Sequence, residues 1–311
     1  MTSTDEPGPM TVGRVEVESK NARGVASAAA GFEPDDAAAL AQAFALLTAA
    51  SLAMQITDLV GTPIERMLDR LPKSAGRRIH AAAESALRKA VGVALSSMRD
   101  APARPASTRL HKAAAAATGA AGGFFGWAGM LVEIPAITML MVRSIADVAR
   151  AEGFSITDAE VRRDCVMVFA LDGGGHPHAG ADIGYFAIRD TLEGAERASD
   201  TQPFTDAARR IAKRAIVANE TAPLLTKWIE AAAARLGVAF TEKAAAQWMP
   251  VVGAAGGATL NTLFTAHFQN MARGHFTIRR LEGKYGKDAV RRQFHDLAAA
   301  RRGVAATTPR P

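Results

Sequence analysis

Residues 113–142 read AAAAATGAAGGFFGWAGMLVEIPAITMLMV, and Glu133 is the only charge among them. Alanine is the commonest residue, and no period-two alternation is sustained, so the stretch reads as helix. Gly119, Gly122, Gly123, Gly126 and Gly129 recur at intervals of three and four. Small residues so spaced clear one helix face and admit a second backbone at close range. A glycine-lined, apolar helical hairpin is the expectation.

A second stretch repeats the pattern. Residues 244–266, AAAQWMPVVGAAGGATLNTLFTA, carry no Asp, Glu, Lys or Arg, and Gly253 and Gly257 stand four apart. Each stretch has the length to cross a hydrocarbon core, which takes about 20 apolar residues. Pro135 and Pro250 interrupt them, however, and their alanine- and glycine-rich halves partition weakly into lipid. Glu133 at a bilayer centre would cost roughly 2.5–3.5 kcal/mol or more. Two readings stay open: a tightly packed soluble hairpin, or an amphitropic one that leaves its core for a membrane.

Outward from these stretches the chain is helical almost throughout. Pro34 with Asp35 and Asp36 opens the first helix, followed by Leu40, Phe44, Leu47 and later Leu52. Gly61-Thr62-Pro63 breaks that run. Ile79, Ala83, Leu87, Val91 and Leu95 mark a helix over about 75–99 at steps of four. Thr157 and Glu160 match a capping box, and Thr221 and Thr241 suggest two further starts. The predicted fold is all-α: a single compact multi-helix domain over 34–300, with a flexible arm over 1–33 and a loose tail over 301–311. The N-terminus MTSTDEPGPM reads as neither a secretory signal nor a transit peptide.

Composition sets the surroundings. A chain of 311 residues with 49% hydrophobic and 22% charged side chains builds a real core, which excludes a disordered protein. Cys165 is the only cysteine, so there is no internal disulfide and no cysteine-based zinc site. Among Val161, Val166, Val168 and Phe169 it reads as a small core residue. A net charge of +6 favours anionic partners.

The same two stretches resemble the EcsC family of bacterial proteins. The resemblance rests on GGFFGWAGMLVEIPAITMLMVRSIADVARAEG (122–153) and MPVVGAAGGATLNTLFTAHFQNMARGHFTIRRLEGKYG (249–286). Asp182, Tyr185 and Arg189 in DIGYFAIR look familial as well, and the likeness covers about 40–290. It implies a bacterial helical protein, cytoplasmic or membrane-peripheral, with ABC transporter subunits as candidate partners; the two uncharged stretches with their basic flank add the expectation of a non-enzymatic accessory or lipid-binding factor at the inner membrane surface. It carries over no catalytic residue and no cofactor.

Four constellations are candidates for chemistry. Glu133, Arg143 and Asp147 surround the first apolar motif. Pro135 is expected to start a helix with Glu133 just before its positive end, and Arg143 and Asp147, four apart, can pair. The functional reading is a polar pocket gripping a phosphate or carboxylate through Arg143; the structural one is an ion network that registers helices. Asn261, His267, Gln269, Arg273 and His275 form a second polar set, better placed for interhelix hydrogen bonds than for holding one metal ion.

Asp172, His176, His178 and Asp182 place four metal-ligating types on a glycine-rich loop, the basis of an alternative reading as a metal-dependent hydrolase. Their order matches no metal-hydrolase motif, and a solvated glycine-rich connection is the favoured reading. Finally, Arg279, Arg280, Lys284, Lys287, Arg291 and Arg292 follow the second apolar motif, next to Glu282 and Asp288. Cations flanking a weakly apolar hairpin suit an anionic lipid surface. Nucleic acid is not expected, because no aromatics interleave the basic groups.

Overall fold

The structure is a computed structural model that describes residues 31–72, 74–123, 126–171, 185–191, 193, 223–247 and 253–307. Every regular element among them is helical. Residues 1–30 of the expected N-terminal arm lie outside the described residues.

Helix α1 spans Pro34–Leu47, with proline in its first turn and Asp35 and Asp36 over its positive end. Helix α2 (Leu52–Val60) is capped by the Ser51 hydroxyl, which accepts from the Met54 N–H at 3.3 Å. It ends at Gly61 in the left-handed region, φ 70°, where a side chain would be strained. A short α3 (Ile64–Leu68) leads to α4 (Ala75–Ser97), whose steps of four from Ile79 to Leu95 are all buried. The glycine-rich stretch forms α5 (Thr108–Gly123) and α6 (Gly126–Ala151), the predicted hairpin. Then come α7 (Ala159–Met167), a 3-10 turn (Val168–Ala170), α8 (Pro223–Gln247), α9 (Gly253–Tyr285) and α10 (Lys287–Thr307).

Helix α9, about 50 Å long at 1.5 Å per residue, is the axis on which α1, α5, α6 and α10 pack. Its closest partner is α5. A Cβ on Gly119 of α5 would stand 2.3 Å from the Gly257 carbonyl oxygen of α9 and 2.7 Å from Asn261 Nδ2. The two glycine-bearing stretches therefore pack on each other, not only each within its own hairpin. Helices α4 and α8 run antiparallel, as Arg88 meets Glu230 while His80 lies against Gly237.

Several local expectations change. Pro135 does not start α6 but sits inside it, with its ring exposed. It removes only the bond to the Leu131 carbonyl, so the helix continues. Glu133 is therefore a mid-helix residue turned into the core, not a group at a helix end. Thr241 lies within α8. Asp158, not Thr157, caps α7 by accepting from the Glu160 N–H. Helix α10 continues to Thr307, through much of the expected tail. The 244–266 stretch is divided between the end of α8 at Gln247 and the start of α9 at Gly253.

Candidate functional site

Glu133, the lone charge of the first apolar stretch, meets a cation that sequence reasoning passed over. Lys243 of α8 donates to Glu133 Oε1 at 2.5 Å and also to Asn261 Oδ1 of α9. Asn261 Nδ2 donates to the Ala115 carbonyl at 2.9 Å and to Thr118 Oγ1 at 3.2 Å, both on α5. Four helices thus meet at one polar knot, beside the point where Gly119 approaches Gly257. Lys243 is 0% exposed, and burial holds its pKa below the usual lysine range against the pull of Glu133. The second oxygen of Glu133 and the amide of Gln247, one turn beyond Lys243, have no hydrogen-bond partner among the described residues.

A legible signal for Lys243 existed. It is the last charge before the charge-free second stretch, and Glu133 is the only charge in the first. Two charges bordering or occupying regions otherwise without any must find each other if both stretches are buried.

Arg143 and Asp147 do not pair. Arg143 Nη1 donates to Ser97 Oγ of α4 at 2.8 Å. Asp147 instead pairs with Arg150, three residues on, accepts from the Ser107 N–H at 2.6 Å and stands 3.5 Å from His111 Nε2. Burial lowers the His111 pKa more than Asp147 raises it. Glu133 belongs to the knot, so the expected three-residue pocket separates into two sites. Asn261 and His267 separate likewise: His267 is buried and accepts at Nδ1 from Gln55 Nε2 of α2 at 3.2 Å. Gln269 ties α9 to Ser144 (2.8 Å) and to the Thr108 carbonyl (3.1 Å).

The third buried network contains Tyr185 and Arg189. Arg189 grips Glu282 with two bonds, 2.7 and 3.1 Å, and donates to the Tyr185 hydroxyl at 3.3 Å. With that hydroxyl accepting, its proton points to His275 Nδ1 at 2.8 Å. Burial lowers the His275 pKa, and with Nδ1 accepting, the ring N–H lies at Nε2, 3.7 Å from Asp164. Burial raises the Tyr185 phenol above its ordinary range. The arrangement anchors segment 185–191 to α9.

The basic set on α9 and α10 is largely paired with carboxylates of other segments. Arg279 reaches Asp164 and Glu160, and Arg280 reaches Asp36 and Glu152. Lys284 reaches Glu33 and Asp36, and Arg291 reaches Asp190. Lys287 and Arg292 are exposed. The six do not make one open basic face, because four of them clamp the fold. Asp172, His176, His178 and Asp182 lie outside the described residues. Among those described, no group of three His, Cys, Asp or Glu could hold a metal ion.

The opposite side of the hairpin is apolar. Val132 of α6 is 81% exposed, Pro135 and Ala136 are exposed, and Met139 is half-buried. Positions 132, 135, 136, 139 and 143 share one helix face, so an uncharged stripe runs along α6 until Arg143. Segment Gly129–Ala151 is long and apolar enough to cross a membrane by length and composition, and more than half of its most apolar part is buried. Core helices of soluble proteins meet the same criterion. Helices α1 and α2 meet it only as a pair bent by 62°.

No curated protein and no solved structure matches the chain. The model of the EcsC protein family matches residues 38–281, from α1 to within the last turns of α9. That span takes in the glycine-packed helices, the Glu133–Lys243 knot, and Tyr185, Arg189 and His275 of the third network, and the chain belongs to the EcsC protein family.

Proposed function

We propose that this protein is a non-enzymatic accessory factor that works at the cytoplasmic face of the inner membrane by docking on lipid. The observation that carries the reading is the outward stripe of α6, where Val132, Pro135 and Ala136 face water with no charge before Arg143. A stripe of this kind seated at a headgroup boundary buries apolar area at about 25 cal/mol per Å². The glycine-packed core behind it stays closed, because the hairpin is held by the buried Lys243–Glu133 pair. Lipid docking therefore uses the outer face, without insertion of the hairpin. Membrane subunits of an ABC transporter are the natural neighbours at such a surface.

Flotation of the purified chain with vesicles tests this. The chain should rise with vesicles of phosphatidylglycerol and phosphatidylcholine, and the variant Val132→Asp/Ala136→Asp should rise less while remaining folded. A chain left at the bottom of the gradient with anionic and neutral vesicles alike overturns the reading.

A further inference from the structure

The apolar stripe of α6 ends in a way that suggests which lipids it meets. Positions 147 and 150 continue the face of 132, 136, 139 and 143, at helical spacing. There, however, the face is roofed by the segment that joins α4 to α5. The Arg150 carbonyl accepts from the Ala103 N–H at 2.6 Å, the Arg150 guanidinium donates to the Arg99 carbonyl, and Asp147 accepts from the Ser107 N–H. Ala103 is held at φ 63°, a left-handed conformation that a non-glycine residue adopts only where its surroundings fix it. The roof is thus anchored to α6 from both directions.

The roof and the first turn of α5 carry Arg99, Arg104, Arg109 and Lys112, and Arg143 stands at the edge below them. The first three are exposed, and none of the five forms an ion pair among the described residues. The nearby acids are already committed: Asp147 is buried against Arg150, and Asp100 accepts from Ser155 and Ile156. Leu110, 68% exposed, sits among these cations. This differs from Arg279, Arg280, Lys284 and Arg291 of α9 and α10, which meet carboxylates of the same chain.

We infer that Arg99, Arg104, Arg109, Lys112 and Arg143 form a headgroup-reading rim, which docks the α6 stripe on the phosphates of an anionic lipid leaflet. The inference rests on the membrane reading above and adds its lipid class and its contact residues. Charge complementarity decides the occupant. Uncompensated cations at the end of an uncharged apolar stripe match a surface that is negative at its boundary and greasy beneath it. A neutral leaflet meets only half of that surface.

The experiment compares two triple variants of the full chain. Arg99→Gln/Arg104→Gln/Arg109→Gln empties the rim, and Arg77→Gln/Lys287→Gln/Arg292→Gln removes the same charge from exposed positions elsewhere. Binding is read by co-sedimentation with phosphatidylglycerol–phosphatidylcholine vesicles over a salt series, with circular dichroism to verify folding. The rim variant should bind on the order of 100-fold more weakly, at about 1 kcal/mol per surface cation, and lose most of its salt dependence. The second variant should bind within a few-fold of wild type. Equal losses in both variants, or a larger loss in the second, overturn the rim while leaving membrane docking in place. Failure of the wild-type chain to bind any vesicle overturns the membrane reading itself. If the rim variant does not fold, Arg104→Glu alone is measured, and binding unchanged from wild type overturns the rim.

Discussion

Lys243 and Glu133 lie 110 residues apart and meet at 2.5 Å in a region both sides of which are otherwise uncharged. Neither side chain reaches solvent to any useful extent: Lys243 is 0% exposed and the Glu133 side chain 3%. The pair has lost its hydration, and mutual attraction, the Asn261 contact and the Phe264 ring facing the ammonium at 5.8 Å offset that loss.

Removing one partner should therefore cost more than removing both. Lys243→Met leaves Glu133 buried without its cation and should destabilise by about 3–5 kcal/mol. Glu133→Gln does the same to Lys243. The double variant Lys243→Met/Glu133→Leu should recover part of the loss, since similar volume is filled without buried charge. Urea unfolding of the three chains checks this. Additive losses in the double variant would show the two residues to be energetically independent.

The glycines make a second, opposed pair of predictions. Gly119→Ala puts a methyl 2.3 Å from the Gly257 backbone oxygen, which cannot rotate away, so α5 must move off α9. Overpacking of this kind costs about 1–3 kcal/mol or more. Gly92, on the exposed side of α4, has nothing within 4 Å of the same added atom. Gly92→Ala should stabilise by roughly 0.5–1 kcal/mol through helix propensity alone. Melting temperatures that move in the same direction for both would contradict the close approach of α5 to α9.

How much of the fold is legible in the sequence follows from what each signal measures. Periodicity reports the face a residue presents, so the buried positions from Leu40 to Leu95 and the glycine-lined faces can be read from spacing alone. Pairing across helices is set by rotation and offset between elements, which sequence spacing does not encode. Arg143 and Asp147 share a face and could pair, yet the roof over 147 and 150 draws Asp147 to Arg150 while Ser97 takes Arg143. For the same reason the cations of α9 look like a surface in the sequence, although α1 and α7 bring Asp36 and Asp164 against them. Pro135 misleads because an exposed proline costs one bond and need not end a long buried helix.

Asp36 supplies an acid-side prediction. Hydrogen bonds from Lys284 (2.7 Å) and Tyr285 (2.8 Å), with Arg280 beyond them, hold its carboxyl at about 2. A carboxylate depressed on folding contributes stability that is present above its unfolded value, near 3.8, and lost as pH falls through about 2. Asp36→Asn should therefore be less stable than wild type at neutral pH, and the difference should shrink as the solution is acidified from about 4 toward 2. A gap that stays constant across that range would show that the charge of Asp36 contributes nothing to the clamp between α1 and α9.

His267 predicts a pH dependence at milder acidity. Its ring is buried and its Nδ1 faces the Gln55 amide nitrogen, which is a donor, so the neutral ring with hydrogen on Nε2 is the form that fits. Burial holds its pKa at about 4, while in the unfolded chain it titrates near 6.5. A base depressed on folding has its full contribution above the unfolded value. Below it, the unfolded chain takes up a proton that the folded chain refuses, so stability falls from about pH 6.5 down to about 4, by up to about 3 kcal/mol. His267→Gln keeps a polar side chain at the site but has no proton to gain, so its stability should fall less steeply over that window. The measurement is the urea midpoint of both chains at several pH values between 7 and 4. Parallel curves would assign the acid sensitivity to other groups; converging curves would place it on the contact between α2 and α9.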